Sequence, residues 1–168
     1  MSEQSDDIRS RVQEYWERPE TVSIIDKNLH QIEIDTASRY LMSSDAVLDV
    51  GCGDGEATVA YAKIAKTCTG LERSKHLRAA AQSLAASSGL QNIDIIDGDV
   101  LALDRLPGTF DAIVTQRLLI NLMSWEEQME GIMNVYRKLK PGGRLIMIEN
   151  TVDSFLAMND MRSDVGLE

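Results

Sequence analysis

Residues 47–58 read Val-Leu-Asp-Val-Gly-Cys-Gly-Asp-Gly-Glu-Ala-Thr. The stretch starts as a short apolar run, Ala46–Val50, broken by the single acid Asp49. It ends in Gly51, Gly53 and Gly55, and residues 56–66 then read as a helix. A buried strand, a glycine-rich turn and a helix in that order form the opening unit of a parallel α/β sheet. Glycine lets such a turn bend tightly and lets a ligand approach its backbone. The spacing is Gly-x-Gly-x-Gly, not the Gly-x-Gly-x-x-Gly of dinucleotide binders. Asp49 and Asp54 place carboxylates where a diphosphate would be repelled. An ammonium or a sulfonium suits the loop better.

Downstream the same alternation repeats. Thr67–Leu71 reads as a second strand closed by Glu72, and Asn92–Ile96 as a third. Phe110–Thr115 reads as a fourth and Arg144–Ile148 as a fifth. Ser74 is placed to cap a helix running to Ser87, with Gly89 as its stop. Ser124 caps another that ends before Lys140-Pro141-Gly142-Gly143. Right-handed crossovers put helices on both faces of the sheet, and ligands bind outside the carboxyl ends of its strands. Glu72, about twenty residues past the glycines, is placed to accept from both ribose hydroxyls of an adenosine. Asp99, with Asp97 as its competitor, is placed to take the amino group of an adenine, and Val100 offers a backbone amide beside it.

Residues 1–42 form a helical lead-in or lid, interrupted by Pro19, and residues 43–168 form the sheet domain. In the lead-in, Leu29, Ile32, Ala37, Tyr40 and Leu41 recur at helical spacing and predict an amphipathic helix ending near Met42.

The whole is one domain of 168 residues, 43% hydrophobic and 26% charged. A formal net charge of −10 argues against nucleic acid as the main partner. No apolar run approaches the roughly 18 residues of a membrane span, and the polar start lacks a signal-peptide core, so a cytoplasmic location is expected. Cys52 and Cys68 do not make a disulfide framework, and Cys68 reads as a small buried hydrophobe. His30 and His76 are the two histidines, and no Cys/His/carboxylate cluster has metal-ligand spacing along the chain, so no metal is expected.

The ordered set VLDVGCGDGEAT, GLERS, DGDV, FDAIVTQRLLINL and LKPGGRLIMIEN closely resembles the successive motifs of class I S-adenosylmethionine-dependent methyltransferases, over about residues 45–150. The resemblance implies a Rossmann-like doubly wound sheet, here with strands one to five in the order 3-2-1-4-5. It implies S-adenosylmethionine as cofactor and S-adenosylhomocysteine as product. Carried onto this chain, it places Asp49, Gly51, Cys52, Gly53 and Gly55 around the methionine and ribose. It puts Glu72 on the ribose hydroxyls, Arg73 beside the adenine, and Asp99 and Val100 on the ring. Gln116 and Arg117 stand where the family's fourth motif faces the transferring methyl, and are the candidate catalytic residues. The Asp-x-Ser and Asn-Pro-Pro-Tyr forms of that motif are absent, which argues against amino-methylation of DNA, glutamine or rRNA. The lead-in YWERPETVSIIDKNLHQIEID, with a Gln-Arg-x-Leu-Ile-Asn-Leu fourth motif, resembles a bacterial subgroup of small-molecule methyltransferases, which implies a small-molecule acceptor. Arg117 reads either as an ion-pair partner of an acid or as a clamp on a substrate anion. Tyr15, Trp16 and Asn121 are candidate lid residues; His30 and His76 are candidate bases. Two other functions compete: an inactive cofactor-binding module acting through a partner, and a nicotinamide-dependent oxidoreductase.

The family sheet continues with two more strands, and only about twenty residues follow Ile148 here. The expectation is a chain lacking that end, with an exposed fifth strand open to self-association.

Overall fold

The structure is a computed structural model that describes residues 3–164 and 166. Five parallel strands form one sheet: β1 (Ala46–Val50), β2 (Thr67–Glu72), β3 (Ile93–Asp97), β4 (Phe110–Gln116) and β5 (Leu139–Ile148), in the order β3-β2-β1-β4-β5. The helices are α1 (Glu3–Trp16), α2 (Lys27–Ser38), α3 (Glu56–Ala62), α4 (Lys75–Ser87), α5 (Trp125–Lys138) and α6 (Val152–Asp164). The expected order and both capping serines are found. Ser74 Oγ accepts from Leu77 N at 3.2 Å, and Ser124 Oγ from Glu127 N at 3.1 Å.

β1 lies at the centre because it is apolar on both faces. Val47 packs with Tyr61, Ile34, Ala37, Ala112 and Val114, beneath α2 and α3. Leu48 and Val50 point the other way, onto Leu71, Val100, Leu103, Ile113 and Val135, beneath α5. Full burial of each such side chain stabilises the fold by about 1.5–3 kcal/mol. The register aligns the carboxyl ends: Val50 pairs with Leu71 and Thr115, and Glu72 with Asp97. Gly51, Glu72, Asp99 and Gln116 therefore emerge along one rim.

Two expectations are corrected. The lead-in is two helices, and α2 ends at Ser38. Its buried face is His30, Glu33, Ile34 and Ala37, while Leu29, Ile32 and Tyr40 are exposed. β5 starts at Leu139, which pairs with Phe110; the pairing resumes at Arg144 opposite Ala112, so the Lys140–Gly143 turn bulges out of a strand it was expected to precede. β5 is the sheet edge among the described residues, and α6 buries none of its residues. No described helix is long and apolar enough to cross a membrane.

Candidate active site

A cavity of about 210 Å³ opens at the carboxyl end of the sheet. Its floor is the loop after β1. Gly51, Gly53 and Gly55 have φ of 74°, 57° and 84°, the left-handed region that side chains rarely adopt. The amides of Gly51 and Cys52 both donate to Leu71 O, at 2.8 and 3.1 Å, which ties the loop to β2. Gly51, Cys52 and Gly53 line the cavity. A Cβ on Gly53 would stand 2.3 Å from Ser23 Oγ, and one on Gly51 2.9 Å from Leu118 Cδ1. Both approaches leave room for backbone alone. Gly55 faces away, against Ala81, and does not line the cavity; its task is to seat α3 on α4.

Glu72 closes β2 with its carboxylate held on both oxygens. Oε2 accepts from Gly53 N at 2.9 Å and Oε1 from Ser74 N at 2.7 Å. Burial raises its pKa; those amide donors and Arg73 act against the rise. Each oxygen keeps a second lone pair for a ligand. Asp99 lines the cavity, accepting from Leu101 N at 2.9 Å and pairing with Arg73 at 3.1 Å. Asp97 is mostly exposed, pairs with Arg78 at 2.8 Å and lies off the cavity. Val100 and Arg73 also line it.

Asp49 is corrected from wall to foundation. It is fully buried behind the loop, does not reach the cavity, and accepts from Thr58 Oγ1 at 2.6 Å. Burial pushes its pKa up to about 7, against the lowering effect of the Thr58 hydrogen bond, and the nearby Glu72 adds to the rise. The folded chain therefore holds this proton more tightly than the unfolded chain. The associated stability is fully present below the ordinary value near 3.8 and is lost as pH rises through about 7. The full swing is about 4 kcal/mol. Asp49→Asn keeps an acceptor for Thr58 and removes the charge. We expect its melting temperature at pH 8 to exceed the wild type's by on the order of 10 °C, with little gain at pH 4. Thermal melts at the two pH values check this; equal gains at both would contradict it.

Gln116 and Arg117 end β4 at the cavity. Gln116 Nε2 is buried without a partner. Arg117 has φ 50° and sets a guanidinium nitrogen 3.2 Å from Glu33 Oε2, as in the ion-pair reading of this residue. The segment after β4 is pinned by Glu149, whose Oε1 accepts from Leu118 N and Leu119 N at 2.9 and 3.1 Å. Trp16 Nε1 donates to Asn121 Oδ1 at 3.0 Å, so the two lid candidates close across the opening. Tyr15 and His76 lie off the cavity, while His30 lines it.

Sequence reasoning missed Ser23, which sits in a stretch without periodicity or motif, and Glu149, which lies inside the LKPGGRLIMIEN motif but acts through hydrogen bonds from the distant Leu118 and Leu119 amides. Cys52 and Cys68 are both free and buried, and the Cys52 sulfur folds back to within 2.9 Å of a Cβ position at Gly70, nearer β2's interior than its place in the loop predicts. Spacing along the chain shows no Cys/His/carboxylate cluster, while the fold brings ligand atoms of His30, Asp54 and Glu56 within 4.8 Å of one another.

Residues 47–143, more than half of the chain, match a family described as methyltransferase domain. An uncharacterized methyltransferase of Bacillus subtilis, YcgJ, is 28% identical over 104 residues, covering 62% of this chain and 40% of its own. A demethylmenaquinone methyltransferase of Shouchella clausii is 25% identical over 114 residues, covering 66% of this chain and 47% of its own. The chain thus spans about half the length of the curated relatives it matches. The crystal structure of the N-methyltransferase NodS from Bradyrhizobium japonicum, in complex with S-adenosylhomocysteine, superposes with a TM-score of 0.68 at 20% identity, covering 84% of this chain and 72% of that one. With a sheet of this order and a family match of this extent, the chain belongs to the methyltransferase-domain family of the class I, S-adenosylmethionine-dependent type.

Proposed function

We infer that this chain binds S-adenosylmethionine at the carboxyl end of its sheet and transfers the methyl group to a small molecule. The observation that carries this reading is Glu72, a carboxylate fixed at the cavity wall by two backbone amides with lone pairs still available. The glycine loop fits the cofactor, since Gly51, Cys52 and Gly53 line the cavity and Leu118 and Ser23 leave no room for a Cβ at Gly51 or Gly53.

In this reading Glu72 accepts from the ribose hydroxyls, and Asp99 accepts from the adenine amino group. Arg73 flanks the ring, holding Asp99 in place, while Val100 packs on its edge. Gly51, Cys52 and Gly53 line the methionine part. Asp49 and Gly55 act from behind the loop by holding its shape. When bound, the sulfonium supplies an already electrophilic methyl. The residues then have mainly to align the acceptor, and such positioning contributes about 7–11 kcal/mol. Gln116 offers an amide with an unused donor on the acceptor side, and Trp16 with Asn121 narrows the entrance against water. The acceptor is a small organic molecule, in keeping with a cavity of about 210 Å³ and a net charge of −10.

Release of S-adenosylhomocysteine over a panel of small phenols, alcohols, amines, thiols and carboxylates tests the reading. At least one class should give turnover above the acceptor-free rate. Cofactor binding without turnover on any class would favour an inactive module that works through a partner.

A further inference from the structure

One wall of the cavity carries a side chain that methyl transfer leaves unused. His30 on α2 is 5% exposed, yet neither ring nitrogen has a hydrogen-bond partner. Buried polar groups nearly always find partners, so what the imidazole faces is informative. Nε2 stands 3.4 Å from Glu56 Oε2 on α3. A carboxylate oxygen of Asp54, in the glycine loop, completes three ligand atoms that all lie within 4.8 Å of one another. Two atoms bound tetrahedrally at zinc–ligand distances lie about 3.4 Å apart. The spacing of His30 and Glu56 therefore matches one edge of such a coordination shell.

The far side of the ring is arranged to match. His30 Nδ1 faces Glu33 Oε2 at 3.9 Å, and Arg117 fixes that carboxylate from 3.2 Å. At that distance the two make no hydrogen bond, and a small closure would give the carboxylate–histidine pair that orients a ligating imidazole. Lys27 Nζ lies 3.0 and 2.9 Å from the two Glu56 oxygens, so a protein cation now neutralises the acid. Its side chain is 58% exposed, and it can turn out into water when another cation arrives.

We propose that His30, Asp54 and Glu56 form a binding site for a divalent transition-metal ion, held by one imidazole nitrogen and two carboxylates, with water completing the shell. A mixed nitrogen and oxygen set suits zinc, manganese or iron(II) better than magnesium, which prefers oxygen alone. An ion here joins α2 to the glycine loop and to α3, and so ties the lead-in to the floor of the cavity. The site does not depend on the methyl-transfer reading.

The test is calorimetric titration of the chelator-stripped full chain with zinc chloride, and separately with magnesium chloride. One zinc per chain is expected, with magnesium much weaker. His30→Ala should weaken zinc binding by at least tenfold, and His76→Ala should leave it unchanged. If H30A loses its native circular dichroism, Glu56→Gln at a half-exposed position replaces it, with the same expected loss. Absent zinc binding, or H30A or E56Q binding as the wild type does, would overturn the proposal. So would an H76A loss equal to that of H30A. S-adenosylhomocysteine titrated into the same samples gives a separate answer: zinc binding without it removes the methyl-transfer reading alone.

Discussion

Replacing Gly53 by valine abolishes S-adenosylhomocysteine binding and leaves the fold nearly intact. Two independent costs meet at this position. Gly53 holds φ at 57°, where an L side chain costs roughly 1–2 kcal/mol and a β-branched one more. The new Cβ would also stand 2.3 Å from Ser23 Oγ and 2.9 Å from Ser23 Cβ. Rotating the serine hydroxyl relieves the first contact only, so the loop or the lead-in must move. A moved loop also pulls the Gly53 amide off Glu72, which accepts from it at 2.9 Å. The mutation thus disturbs the floor, the roof and the ribose-facing acid together. Affinity should fall by at least about a hundredfold, which corresponds to about 2.7 kcal/mol. Gly53 lies outside every helix and strand, so circular dichroism should stay near native. Calorimetry checks the affinity; binding within a few fold of wild type would mean that the loop is not the cradle.

Glu72→Ala is the second large effect. Its carboxylate accepts from two backbone amides and offers its remaining lone pairs to the cavity. Removing it leaves the amides of Gly53 and Ser74 without their acceptor, at about 1–3 kcal/mol each. It also removes the charged acceptor for the ligand hydroxyls, worth about 1.5–3 kcal/mol per hydrogen bond. Affinity for S-adenosylhomocysteine should drop by more than tenfold, with a lower melting temperature for the free protein. Glu72→Gln keeps one acceptor oxygen and turns the other into a donor, so it should fall between the two. Unchanged affinity in the alanine variant would remove Glu72 from the site.

These residues were legible in the sequence because each lies beside the strand that presents it. Gly51–Gly53, Glu72, Asp99 and Gln116 end or follow β1 to β4, and parallel strands in register deliver these residues to one rim whatever the loops do. Depth was harder to read. Asp49 belongs to the same motif as Gly51, but alternation along β1 turns it into the interior beside Thr58. The lead-in misled for another reason. Leu29 and Ile32 repeat at helical spacing and are exposed, while His30 and Glu33 are buried. Glu33 is drawn inward by Arg117, a partner far along the chain that local periodicity does not register. Contacts between distant segments, Ser23 over Gly53 and His30 beside Glu56, leave no trace in spacing.

The central claim is that the rim of this sheet is built for an adenosyl sulfonium cofactor and not for a dinucleotide. Calorimetric titration of the wild-type chain with S-adenosylhomocysteine and, in parallel, with NAD tests it most directly. The account predicts one S-adenosylhomocysteine per chain and no measurable heat from NAD, because the loop has the Gly-x-Gly-x-Gly spacing and not the Gly-x-Gly-x-x-Gly that seats a diphosphate. Binding of NAD with S-adenosylhomocysteine inert would contradict it.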